Sequence, residues 1–190
     1  MRKRNRITRL LCLALCWLVL AGAAPARAEE PLALASQAAV LLDADTGTVL
    51  YEKNMHQALY PASITKLMTA LLAVQSLEPE QVLTVSQTAV NAVPRSSSHI
   101  SLLPGEQLTA EQALYAIGME SANDAANVLA EAVAGSLEAF AEQMTAAAQA
   151  LGATDTHFSN ANGLPDSTHT TTAYDMALIT AAAWKQEGLA

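Results

Sequence analysis

The run Tyr60-Pro61-Ala62-Ser63-Ile64-Thr65-Lys66-Leu67-Met68-Thr69-Ala70 constrains this chain more than any other stretch. Proline at 61 biases Tyr60 away from helical geometry, so the chain arrives there extended. Beyond it, Ile64, Leu67, Met68, Leu71 and Leu72 recur at helical spacing and predict an apolar face on a helix running to about Ser76. Ser63 then falls at the helix N-terminus, where a hydroxyl can cap free backbone N–H groups. Lys66, three residues on, rises from the same face. A hydroxyl beside an amine is a nucleophile beside a base, once burial lowers the lysine pKa. The plain alternative is a capped helix with one surface lysine. Ser-x-x-Lys arises about once by chance in a chain of this length, so its meaning rests on what surrounds it.

Residues 1–28 read as a secretory leader. Arg2, Lys3, Arg4, Arg6 and Arg9 form a basic front, Leu10 to Ala24 an apolar run, and Ala26-Arg27-Ala28 a small-x-small cleavage site. The apolar run falls short of the roughly 20 residues that span a bilayer. Cleavage after Ala28 is therefore expected, with an uncleaved anchor as the alternative. Leu15 before Cys16 speaks against a lipoprotein.

Export changes the composition that matters. Both cysteines, Cys12 and Cys16, lie in the leader, so the mature part has no disulfide and no thiolate metal site, although it faces an oxidising space. Its basic residues are Lys53, Lys66, Arg95 and Lys185 against 18 acidic ones, a net charge of about −14. Such a surface argues against nucleic acid as a partner. Residues 29–190 suffice for one domain with a real core.

Gln37 to Leu42 reads as a buried strand and Thr48 to Glu52 as its hairpin partner, joined by Asp43-Ala44-Asp45-Thr46-Gly47. A short strand is expected at Val82 to Val85 and a surface loop from Asn91 to Ser101. Thr109-Ala110-Glu111-Gln112 is a capping box that opens a helix to about Met119. Ser121-Ala122-Asn123 separates it from a helix over Asp124 to Ala134 that Gly135 stops. Ser136 caps a third helix, Leu137 to Leu151. A loop over Asp155 to Thr170 precedes a last helix, opened by Thr172-Ala173-Tyr174-Asp175 and ending near Gly188. This is an α+β order whose sheet is short of strands.

With Ser63, Lys66 and Ser121-Ala122-Asn123 in place, the chain resembles the penicillin-recognising serine enzymes. More narrowly it resembles the serine-type D-alanyl-D-alanine carboxypeptidases, the low-molecular-mass penicillin-binding proteins. The resemblance runs from about Ala38 to Ala183. Tyr60 to Thr69 matches the family's first box with its flanks, Leu103-Pro104-Gly105-Glu106-Gln107-Leu108-Thr109 its approach to the second helical segment, and Ser121 to Ala126 its second box. Asn160-Ala161-Asn162-Gly163-Leu164-Pro165 and Thr172 to Ala177 are similar to later family segments.

The resemblance implies an α+β fold of the β-lactamase/transpeptidase type, with a helical region packed on an antiparallel sheet. It implies an exported enzyme of the cell-wall face that removes the terminal D-alanine from peptidoglycan stem peptides ending in D-Ala-D-Ala. β-Lactams would be its covalent inhibitors, and neither cofactor nor metal is implied. Carried over residue by residue, Ser63 is the nucleophile and Lys66 its base. Ser121 relays a proton to the leaving amine, and Asn123 holds Lys66 and the substrate amide. The backbone N–H of Ser63 is one oxyanion donor.

The family's third box, Lys-Thr-Gly, is not in this sequence, where Lys185 is followed by Gln186-Glu187. The expectation is therefore a chain cut before the third-box strand, with residues 29–190 as the N-terminal part of the catalytic domain and carboxypeptidase turnover weak or absent. Any membrane association would come through a further C-terminal region. Two rival functions are a β-lactamase of the same superfamily and a non-catalytic cell-wall-binding remnant. The first is disfavoured because no Glu-x-x-x-Asn follows the second box.

Other polar residues have plainer readings. His56, His99, His157 and His169 fall in expected loops, without metal spacing, and read as exposed. Glu120 and Asp124, flanking Ser121, read as helix-end charges. Ser96, Ser97 and Ser98 read as plain loop, Asn162-Gly163 as a turn, and Trp184, with Leu178 and Ile179, as core on the last helix.

Overall fold

The computed structural model describes residues 32–189; the expected leader, residues 1–28, lies outside them. Every element falls within the compact unit Ser36–Ala190. The hairpin forms as its turn chemistry dictates. Asp43 Oδ1 accepts hydrogen bonds from the backbone N–H groups of Asp45 and Thr46 and from the Thr46 hydroxyl, and Gly47 takes a φ of +71°. Strands β1 (Ala39–Leu42) and β2 (Val49–Lys53) pair antiparallel, with a register shift between Leu41 and Leu42. The expected burial fails: Leu41 and Leu50 are exposed, and no residue of either strand is fully buried.

Pro61 then starts a 3-10 turn, Ala62–Thr65, that leads into helix α1, Lys66–Ser76. Ser63 sits inside this turn rather than at a cap, and its hydroxyl makes no cap bond. The buried stripe of α1 also differs from the expected one. Met68, Leu71, Leu72 and Ala73 face the core together with Thr65 and Thr69, whereas Ile64 and Leu67 turn outward. An apolar count could not see that two threonines belong inside, because their hydroxyls find partners only in the folded chain.

Two elements escaped the sequence reading. Ser86 caps a short helix, α2 (Gln87–Asn91), and Gln107–Thr109 forms strand β4, pairing antiparallel with β3 (Val82–Thr84). Both are too short to carry a periodic signal. Helix α3 (Ala110–Met119) opens on the anticipated capping box. Helices α4 (Asn123–Ala134), α5 (Leu137–Ala150) and α6 (Ala173–Trp184) follow, each within a few residues of its expected bounds. The loop before α6 is more ordered than expected, since isolated bridges pair Leu59 with Thr171 and His157 with Thr170.

Helix α4 is the centre. It packs against α1, α2, α3, α5 and β3, and every residue from Asn123 to Ala130 is buried. Alanines at 125, 126 and 130 remove side-chain bulk, so neighbours approach closely while Val128 and Leu129 fill the remaining space. The β1–β2 hairpin packs on α6. The result is an α+β arrangement with two separate two-stranded sheets. Trp184, expected in the core, is 66% exposed at the end of α6, while Ile179 on the same helix is buried. Leu129→Ala should therefore cost about 3 kcal/mol of unfolding free energy, and Trp184→Ala no more than about 0.5 kcal/mol, as read from urea denaturation of the purified chain. Equal losses would contradict this placement of the core.

Candidate active site

Three segments distant in sequence converge on one amine. Lys66 starts α1, is only 5% exposed, and points its Nζ at three oxygens. It donates to Ser63 Oγ at 3.4 Å, to Asn123 Oδ1 at 2.7 Å, and to the backbone carbonyl of Asn162 at 2.7 Å. An ammonium has three N–H donors, so all are used. Burial pulls the Lys66 pKa from 10.5 down to about 8, because a low-dielectric site disfavours the charged form.

The partners decide which way a proton can move. The Asn162 carbonyl and the Asn123 amide oxygen only accept, so each retains an N–H when the amine is neutral. Ser63 is the one partner able to reverse roles. Its O–H can donate to the bare lone pair, which is the geometry of a base activating a nucleophile. The 3.4 Å separation must shorten by a few tenths of an ångström to reach the roughly 2.6–3.2 Å range of proton transfer, as resting-state contacts commonly do. Ser63 itself is exposed and open to an incoming carbonyl group.

Ser121 lies in the link between α3 and α4 with a φ of +53°, and Ala62, just before Ser63, has a φ of +50°. Left-handed backbone at non-glycine residues costs on the order of 1–3 kcal/mol each and collects at functional sites. Among the described residues, Ser121 Oγ is the buried side-chain polar atom without a hydrogen-bond partner. Asn123 opens α4, with its backbone N–H on Ser98 O and its side chain on Lys66.

The sequence matches the D-alanyl-D-alanine carboxypeptidase family over residues 24–189. The chain belongs to this family. It is 36% identical to D-alanyl-D-alanine carboxypeptidase DacF of Bacillus subtilis, over 97% of this chain and 49% of that protein. To DacC of Escherichia coli it is 35% identical, over 84% of this chain and 42% of that one. It thus spans about half the length of the curated relatives it matches. Among solved structures, the D-alanyl-D-alanine carboxypeptidase of Mycobacterium tuberculosis superimposes with a TM-score of 0.79 at 30% identity, covering 87% of this chain and 62% of its own. DacD of Francisella tularensis gives 0.78 at 31%, covering 83% and 38%. The fold is that of the penicillin-binding proteins, as the α+β expectation required.

The segments read as the first and second boxes meet at Lys66, and the structure adds parts that the sequence reading passed over. Asn162-Gly163 is more than a turn. The Asn162 carbonyl holds Lys66, and its side chain donates to Asn127 Oδ1 at 3.0 Å. Asn127, one turn after Asn123 on α4, in turn donates to Ala89 O. Two asparagines at i and i+4 on an otherwise alanine-rich buried helix were the available signal. Gly163 has a φ of +83°, and a Cβ there would overlap the Ala62 carbonyl oxygen. Thr69 Oγ1 donates to Ala161 O at 2.6 Å.

His169, expected on the surface, is 2% exposed and lies against Thr65. Asp124 does more than charge a helix end: its carboxylate accepts from the N–H groups of Ile100 and Leu102 and so ties that loop to the start of α4. Glu120 stays exposed at the end of α3. Among the described residues, no group of three or more His, Cys, Asp or Glu side chains is placed to hold a metal ion.

Two outcomes are expected here. Gly163→Ala should disrupt the contact with Ala62, seen as a lowered melting temperature and loss of Ser63 reactivity; an unchanged melting curve would refute the close approach. The Cε resonance of Lys66 should titrate near pH 8. The unfolded chain holds this proton up to about 10.5, so stability should rise with pH between those values, and Lys66→Met should abolish the rise.

Proposed function

We propose that this chain carries the acylation machinery of an exported serine-type D-alanyl-D-alanine carboxypeptidase that acts on peptidoglycan stem peptides. The observation that carries the reading is the buried Lys66 amine held on Ser63 Oγ by two acceptors that cannot give up a proton. Neutral Lys66 takes the proton as Ser63 Oγ attacks the carbonyl between the two D-alanines. The C–O bond forms, charge gathers on the carbonyl oxygen, and the Ser63 N–H donates to it. Collapse breaks the C–N bond, and the proton passes from Lys66 through Ser121 to the departing D-alanine amine. Water then hydrolyses the acyl-enzyme. Asn123 has the double task of fixing Lys66 and binding the substrate amide.

A β-lactam would enter the same sequence, because its strained amide presents the same carbonyl to Ser63. The leader read from residues 1–28 supports export of this chemistry across the cytoplasmic membrane, and among the described residues no helix is long and apolar enough to cross one.

In the family, a second oxyanion donor and the groups that bind the substrate carboxylate come from the third-box strand, whose Lys-Thr-Gly is not in this sequence. The residues present supply the nucleophile, its base and one oxyanion donor, so the step to test on this chain is acylation of Ser63. Incubation with a labelled penicillin and mass spectrometry should find one adduct on Ser63, absent in Ser63→Ala. No adduct on the wild-type chain, or an adduct that persists in Ser63→Ala, would overturn the proposal.

A further inference from the structure

His169 lies outside the mechanism above, yet it is buried beside it. Its Nδ1 receives the Ser159 backbone N–H at 3.0 Å, and its Nε2 lies 2.7 Å from Thr65 Oγ1. A peptide N–H only donates, so Nδ1 carries no proton. The ring is therefore the neutral Nε2–H tautomer, and the Thr65 hydroxyl accepts from it. The imidazole thus joins the start of one loop to the 3-10 turn that holds Ser63, one residue before Lys66.

That loop reaches the same helix at two more points. Ala161 O accepts from Thr69, and Asn162 O from Lys66. Between Ser159 and these contacts the backbone is stiff. Asn160 Oδ1 accepts from the N–H groups of Asn162 and Gly163, and Asn160 Nδ2 donates to Leu164 O. A displacement at Ser159 is therefore carried along to the Asn162 carbonyl.

We propose that neutral His169 is a positioning residue which locks the 159–164 loop onto the catalytic turn, and that protonation of its ring withdraws the Asn162 carbonyl from Lys66. A proton on Nδ1 would face the Ser159 N–H, donor against donor, across 3.0 Å. Two donors cannot pair, so the Ser159 N–H and the ring must separate. The titratable groups around the ring are the exposed Asp166 carboxylate, which favours the charged form, and His157, which opposes it; from the catalytic turn the ring meets the uncharged Thr65. Burial outweighs Asp166 and holds the imidazole below its ordinary 6.5. The Phe158 ring, edge-on at 5.5 Å, adds an apolar wall.

The consequence is a second proton in the pH profile. Acylation requires neutral Lys66, so its rate falls about tenfold per pH unit below about 8. Once His169 also protonates, the fall steepens to about a hundredfold per unit. His169→Asn keeps an acceptor for Ser159, and His169→Gln keeps a donor for Thr65, but neither titrates.

The test uses the full chain. With 15N-labelled histidine, NMR should show His169 as the Nε2–H tautomer at neutral pH, and the Lys66 Cε resonance should move a second time as His169 protonates. The pH profile of penicillin acylation should show the steeper acid limb in the wild type and a tenfold-per-unit limb in both variants. An Nδ1–H tautomer, a His169 titration that leaves Lys66 unmoved, or variants that keep the steeper limb would overturn the proposal. The kinetic arm rests on the acylation reading of Ser63 and Lys66. If the wild type forms no adduct at any pH, that reading fails, and the NMR arm still decides the role of His169.

Discussion

A charged amine does not stay in a protein interior without partners, and the arrangement around Lys66 follows from that constraint. Desolvation penalises the ammonium, and three oxygens from three separate segments offset it. Each segment must then be fixed in its own right. Asn123 is set by the first turn of the central helix, whose start Asp124 joins to the loop at Ile100 and Leu102. Asn162 is set by Asn127 and by the internal hydrogen bonds of its loop. Ser63 is set by the 3-10 turn that Pro61 begins. One buried cation thus draws together the turn, the central helix and the 160–164 loop.

The same constraint sets the proton affinity of the amine. A lysine at its ordinary pKa is almost wholly protonated near neutrality and is a poor base. Holding it in a dry site, with acceptors but no carboxylate among its hydrogen-bond partners, leaves an amine that titrates near 8. Had Asp124 faced Lys66, the charge pair would have raised that value and kept the amine protonated. Asp124 instead uses its oxygens on loop N–H groups.

Several features were legible from residue order alone. The hairpin turn at Asp43–Gly47, the capping box at Thr109–Gln112, and the caps at Ser136 and Thr172 depend on contacts between near neighbours in sequence, so local chemistry fixes them. The Ser63–Lys66 pairing is likewise local, one turn apart. Errors fell where distant segments meet. Trp184 was assigned inside by its hydrophobicity and lies outside, His169 the reverse, and Thr65 and Thr69 replace Ile64 and Leu67 on the buried face of the 3-10 turn and α1.

By itself, then, the sequence determined the longer helices, the hairpin and the one-turn spacing of Ser63 and Lys66, because caps, turns and helical spacing act over a few residues. It also determined the family, through motifs that survive as strings of letters. Only the tertiary structure decided that Lys66 is buried, that the Asn162 carbonyl rather than a side chain completes its shell, and that Gly163 must lack a Cβ. A backbone carbonyl belongs to every residue and leaves no mark in the alphabet. Its meaning arises when folding brings it within 2.7 Å of an amine 96 positions away.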